Sequence, residues 1–112
     1  MKKISTPKGK LPIYYGWNAL SEFAGELGIT MDQVIAIDMR QLPPSELSRF
    51  ILIGFQEGAR KSEEECKVST ITDVGDMIDV LGFDLINQAL EAFTEMSFVS
   101  AGEEEEEEGK KK

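Results

Sequence analysis

An apolar run dominates the middle of the chain. Between Pro43 and Arg60, the residues Phe50 to Ile53 are consecutive, and Phe55 follows one glycine later. A helix with this run has apolar side chains on every face, which is typical of a helix surrounded by the rest of a core. A buried strand is the alternative, but the segment is longer than a typical strand and its flanks favour helix. The pattern therefore predicts a buried central helix over residues 43 to 60.

A first amphipathic helix is predicted ahead of it, from Trp17 to Leu27. Apolar residues recur at helical spacing on one face, and serine and glutamate occupy the other. Gly28 follows the last of them and suits the left-handed conformation in which many helices end. The apolar face comprises Trp17, Leu20, Phe23, Ala24 and Leu27.

A short second helix is predicted to begin at Met31. Thr30 and Gln33 have the spacing of a capping box, in which each side chain bonds the backbone N–H of the other residue. This helix must end before Leu42, because Pro43 disfavours the helical conformation in the residue that precedes it.

Two more helices are predicted after a polar connection over residues 61 to 67. Thr70 and Asp73 repeat the capping-box spacing, and an apolar stripe then continues to Leu81. Gly82 ends or bends this fourth helix. Helical spacing resumes in a fifth helix that is expected to reach about Phe98. The two stripes are Val74, Met77, Ile78 and Leu81, and then Leu85, Ile86, Ala89, Leu90, Phe93 and Met96.

The two ends of the chain have a different composition. Residues 1 to 12 mix lysines with Pro7, Gly9 and Pro12, which predicts a flexible basic arm. Residues 13 to 15 are β-prone, and a short strand there could pair with residues 3 to 5. Residues 99 to 112 hold a run of glutamates and three lysines with nothing to bury, which predicts a disordered tail. The expected fold is therefore one mainly α-helical domain, residues 13 to 98, built as a small bundle of about five helices with a possible N-terminal β segment.

Charge excludes several classes of partner. The 112 residues have a formal net charge of -9, whereas non-specific nucleic-acid binding depends on lysine and arginine that neutralise phosphates. An anionic membrane is disfavoured for the same reason. No apolar run is long enough to cross a bilayer and the N-terminus lacks the apolar core of a signal peptide, so we expect a cytoplasmic protein.

Candidate chemistry is sparse. Asp73, Asp76 and Asp79 recur every third residue, but they lie opposite the apolar stripe and lack a calcium-loop pattern, so we interpret them as solvent-facing. Cys66 is the only cysteine and the chain has no histidine to activate it, which predicts an inert thiol. We therefore expect no enzyme, no catalytic or metal site, and no cofactor.

Gly54 and Gly58 need an explanation, because a glycine within a helix costs about 1 kcal/mol relative to alanine. Their spacing of four residues would let a second helix approach closely. That helix could belong to this chain, which we favour, or to a partner. Trp17, Tyr14 and Tyr15 pose the same choice between core and interface, because aromatic residues are enriched in both.

From about Ile13 to Phe98, the chain resembles the tail assembly chaperones of long-tailed bacteriophages. The likeness consists of an extended segment before YGWNALSEFAGELGI, a short helix, a central helix ending in GFQEGAR, then STITDVGDMIDVLG and a final LINQALEAFTEM helix. These motifs are patterns of apolar residues and glycines and contain no catalytic signature.

The resemblance implies a small helical protein of the host cytoplasm that is absent from the mature virion. Such chaperones bind the long tape measure protein and keep it soluble until the tail tube polymerises around it. Several copies often act together, and some self-associate. By position, the resemblance suggests six residues for partner binding, namely Trp17, Leu20, Phe23, Phe50, Phe55 and Phe93, although burial in the core is the default fate of Phe50 and Phe55.

Two further hypotheses accompany this interpretation. A structural or adaptor subunit of a phage head-tail assembly is the alternative function, since an acidic helical domain would serve there equally well. Many relatives of the chaperone family are made in two lengths by ribosomal frameshifting, and Lys110 to Lys112 could be encoded by a slippery adenine-rich run. The simpler interpretation is that these lysines are a solvated charge run or a remnant of cloning.

Overall fold

A β-hairpin and five α-helices make up residues 1–95, the part of the chain that this computed structural model describes. The predicted mainly α-helical class is confirmed. The predicted end of the fifth helix at about Phe98 and the predicted tail over residues 99 to 112 lie outside the described residues. In chain order the elements are β1 (Lys3–Thr6), β2 (Gly9–Pro12), α1 (Trp17–Leu27), α2 (Met31–Ala36), a 3-10 turn (Met39–Gln41), α3 (Pro44–Ser62), α4 (Ile71–Leu81) and α5 (Phe83–Thr94).

Capping interactions fix the starts of two helices where the sequence predicted them. The Thr30 hydroxyl accepts a hydrogen bond from the backbone N–H of Gln33 at 3.1 Å, and the Gln33 side chain accepts one from the N–H of Thr30 at 2.8 Å. Thr70 and Asp73 form the same reciprocal pair at the start of α4. Each pair satisfies backbone donors that a helix N-terminus leaves unbonded.

The N-terminal residues form an ordered hairpin, so the predicted flexible arm over residues 1 to 12 is wrong. Strands β1 and β2 pair antiparallel, with Ile4 opposite Leu11. Both of these side chains are buried in the core. The lysines that suggested an arm alternate with these apolar residues, and alternation is the signature of a strand with one buried face.

Helix α3 has more buried residues than any other described helix, in line with the predicted buried central helix. Residues from Phe50 to Phe55 are all buried, and the ring of Phe50 is the centre of an aromatic cluster. The ring centroid of Phe50 lies 5.2 Å from that of Phe23 on α1 and 5.2 Å from that of Phe93 on α5. The aromatic cluster therefore ties three helices together.

Gly54 and Gly58 on α3 make room for an extended segment of the chain. The expectation that a helix packs against these two glycines is therefore wrong. Residues 13 to 16 connect β2 to α1, and the chain crosses α3 from Pro12, at the end of β2, to Tyr15, passing Gly58 and Gly54. A Cβ atom on Gly58 would lie 2.5 Å from the carbonyl carbon of Pro12, far inside normal contact distance. The N–H of Tyr14 donates to the carbonyl oxygen of Gly54 at 3.0 Å. As expected, the segment that approaches these glycines belongs to this chain, but it is extended and not helical.

Candidate partner-binding surface

Five of the six residues that the resemblance suggested for partner binding lie in the core. Leu20 and Phe50 are completely buried, and Phe23, Phe55 and Phe93 are at most 8% exposed. A partner cannot contact these five side chains in this conformation. Trp17 alone among the six is at the surface, with 59% of its area exposed, because it occupies the first position of α1.

A groove between α3, α4 and α5 supplies an apolar surface that the sequence did not single out. It has a volume of about 340 Å³ and opens to solvent. Its floor combines half-buried side chains of α3 and α4 with the first turns of α5. We call it the apolar groove and define it by its apolar lining residues: Leu42, Pro44, Leu47, Ile78, Phe83 and Ile86.

Phe83 is the most exposed large apolar side chain in the described residues, at 75%. Gly82 adopts a φ of 66° and turns the chain from α4 into α5. Phe83 is then the first residue of α5, before the buried stripe begins at Leu85. Val80, on the last turn of α4, is 68% exposed but does not line the groove.

The surroundings of the apolar groove are acidic. Asp79 on α4 and Asp84 on α5 are exposed, and each is next in sequence to a groove residue. Residues 69 to 95 contain no lysine or arginine. The one cation that lines the groove is Arg40, whose guanidinium donates a hydrogen bond to the side chain of Asn87 on α5.

Of the three aspartates on α4, Asp73 has a structural role. Asp73 accepts hydrogen bonds from the backbone N–H groups of Ser69 and Thr70, and these bonds lower the pKa of its carboxyl group. Asp76 and Asp79 are exposed, as predicted for the solvent face. Within residues 1 to 95, no group of three or more potential ligand side chains is arranged to hold a metal ion.

Two other groups that could do chemistry also have structural partners. Glu57 is buried on α3, and both its carboxylate oxygens accept hydrogen bonds from the guanidinium of Arg60, at 2.9 and 2.6 Å. The thiol of Cys66 is exposed and donates to the carbonyl oxygen of Val68 at 3.1 Å. The contacts that these two groups make are therefore structural.

Sequence patterns contained one usable signal for the groove. Phe83 is apolar but falls outside the stripe of α5, so the helix geometry alone places it away from the core. The walls of the groove come from residues far apart in sequence, and their proximity has no local signature.

Comparison with known protein families, curated proteins and solved structures gives no match to this chain. Among the described residues, no helix has the length and apolar character needed to cross a membrane.

Proposed function

We propose that this protein is a tail assembly chaperone of a long-tailed phage or prophage. It binds the tape measure protein in the host cytoplasm and keeps it soluble until the tail tube polymerises around it. The proposal starts from the resemblance of residues 13 to 98 to that family. Its structural support is the apolar groove with Phe83 exposed at its edge.

An exposed apolar groove suits a chaperone because it can cover apolar surface that a client would otherwise present to water. Long helical clients expose apolar stripes until they assemble, and an apolar side chain transferred from water into such a groove contributes roughly 1.5–3 kcal/mol when fully buried. Helix-in-groove binding is a common way to recognise such a stripe. The groove therefore offers the client an accessible apolar surface, whereas the side chains of the core are buried.

Co-expression tests the proposal. The proposal requires a neighbouring gene for a long helical protein, and the product of that gene should remain in the soluble fraction with the wild-type chain and should precipitate without it. The two proteins should elute together in size-exclusion chromatography. If the long protein stays insoluble in the presence of folded chaperone, the proposed function is wrong.

Purified virions separate this function from the alternative. A chaperone is displaced before the particle is finished, so the chain should be missing from virions by mass spectrometry. A head-tail structural or adaptor subunit would be found there in stoichiometric amount. The same measurement on infected cells tests the frameshift hypothesis, which requires a longer product that shares the N-terminal peptides of this chain.

A further inference from the structure

We propose that the apolar groove binds a single amphipathic helix whose apolar stripe is flanked by lysine or arginine. This inference rests on the proposed function and names the part of the client that is recognised. It follows from the shape of the groove, the exposure of Phe83 and the distribution of charge around both.

The shape of the groove favours a helix as its occupant. Helices form the walls, and no β-strand is among its lining residues, so a client strand would find no backbone edge to pair with. Leu47 on α3 and Ile78 on α4 are half-buried in the groove, and Phe83 on α5 lines it while remaining exposed. Side chains that recur every third or fourth position of a client helix can enter such a groove.

The charge around the groove selects the flanks of that helix. Asp79 and Asp84 are exposed carboxylates next in sequence to groove residues, and no lysine or arginine occurs from Ser69 to Glu95, while Glu91 in this segment is already paired with Lys2. Lysine or arginine beside a client's apolar stripe would face this acidic surface, whereas glutamate there would be repelled. Arg40 also lines the groove and keeps its positive charge, but one cation offsets only one of the two carboxylates, Asp79 and Asp84.

The same distribution disfavours a second copy of this chain as the occupant. A symmetric dimer through the groove would place α4 and α5 of one chain against α4 and α5 of the other. All the charges on these two helices are negative, and like charges that face each other across an interface are destabilising. A basic client has no such penalty.

Binding of designed peptides to the full 112-residue chain tests the inference. The probes are two fluorescent helices of about 20 residues with one leucine stripe, flanked in one peptide by lysine and in the other by glutamate. The lysine peptide should bind at least about tenfold more tightly at low salt, because tenfold requires only about 1.4 kcal/mol. Equal binding of the two peptides would overturn the charge selection.

Substitutions locate the binding site. Phe83→Ser should weaken binding of the lysine peptide by about tenfold or more, as removal of an aromatic anchor does. Val80→Ser is the control, since it removes a similarly exposed apolar side chain outside the groove, and it should leave affinity nearly unchanged. Circular dichroism shows whether each variant is folded. A folded Phe83→Ser variant with wild-type affinity would overturn the location.

Two readouts separate this inference from the function on which it rests. If Phe83→Ser still keeps the long client soluble, the chaperone function stands and the groove is not its binding site. If the peptides bind as expected but the wild-type chain does not solubilise the client, the groove assignment stands and the function falls. If sedimentation shows a dimer that Phe83→Ser dissociates, the occupant of the groove is a second copy of this chain and not a client helix.

Discussion

The hydroxyl of Tyr15 donates a hydrogen bond of 2.8 Å to the backbone carbonyl oxygen of Phe50, and the rings of the two residues stack at a centroid distance of 4.3 Å. Tyr15 lies on the connecting segment and Phe50 on α3, so one side chain joins the two by two different interactions. Complete burial raises the pKa of the Tyr15 hydroxyl well above its usual value of 10.0, because the charged form would lose its hydration.

Tyr15→Phe should remove one buried hydrogen bond and lower the free energy of unfolding by roughly 0.5–1.5 kcal/mol at neutral pH. Because the folded-state pKa is raised, the contribution of Tyr15 is present in full below the unfolded pKa of about 10 and declines as the pH rises above it. Denaturant unfolding from pH 7 to pH 11 should therefore show a steeper alkaline decline in wild type than in the variant. Parallel pH profiles for the two proteins would contradict this account.

Phe50→Ala should cost about 3–5 kcal/mol, because it opens a cavity at the centre of the aromatic cluster. Leu47 lies on the same helix but is only half-buried, in the apolar groove. Leu47→Ala should therefore cost less, about 1–2 kcal/mol. Urea unfolding of both variants measures the difference, and an unchanged midpoint for Phe50→Ala would show that the cluster is not central.

Gly58→Ala should destabilise the protein even though alanine is the better helix former. The new methyl group would collide with the backbone of Pro12, which cannot move without shifting the hairpin, and such overpacking typically costs about 1–3 kcal/mol. Gly75→Ala on α4 is the matched control, because no atom lies within 4 Å of the added Cβ. That variant should gain up to about 1 kcal/mol from helix propensity. Thermal unfolding should move the two melting temperatures in opposite directions.

Ile4→Ala should show that the hairpin belongs to the folded domain. Ile4 is completely buried, and its truncation should cost about 2–4 kcal/mol. Ser5→Ala, on the exposed face of the same strand, should stay within about 0.5 kcal/mol of wild type. Equal stabilities of the two variants would mean that residues 1 to 12 are a flexible arm, as their composition suggested.

The complex with the tape measure protein should persist at raised salt. Charges near the groove are screened beyond about 10 Å at 0.1 M salt, so they select and steer the client, while apolar contacts supply most of the affinity. Pull-down at increasing salt concentration measures this. Complete loss of the complex at moderate salt, with the chaperone still folded, would show that charge and not apolar contact supplies most of the affinity.

Local interactions explain why so much of the fold was predictable. Both capping boxes and the Gly28 end of α1 depend on residues within a few positions of one another, and each was found where its spacing indicated. The central helix was identifiable because its apolar run has no polar face. The 3-10 turn at Met39–Gln41 was missed, because so short an element leaves no periodic pattern.

Contacts between distant segments explain what was not predictable. Gly54 and Gly58 indicated a close approach, but the identity of the approaching segment depends on how Pro12 to Tyr15 crosses α3. Trp17 has the spacing of a core residue, yet its place at the start of α1 leaves it exposed. The groove likewise exists only when α3, α4 and α5 have packed together.

The aromatic cluster can be completed only after α5 has been translated. Tyr15 and Phe23 leave the ribosome early, but Phe93 on α5 is needed to complete their surroundings, and the ion pair of Lys2 with Glu91 joins residues 89 positions apart. Because such distant contacts form only after both partners have been translated, Ile4, Tyr15 and Phe50 have an incomplete core until α5 has emerged from the ribosome. A protein proposed to cover the apolar surface of another thus leaves its own apolar surface exposed until α5 has been made.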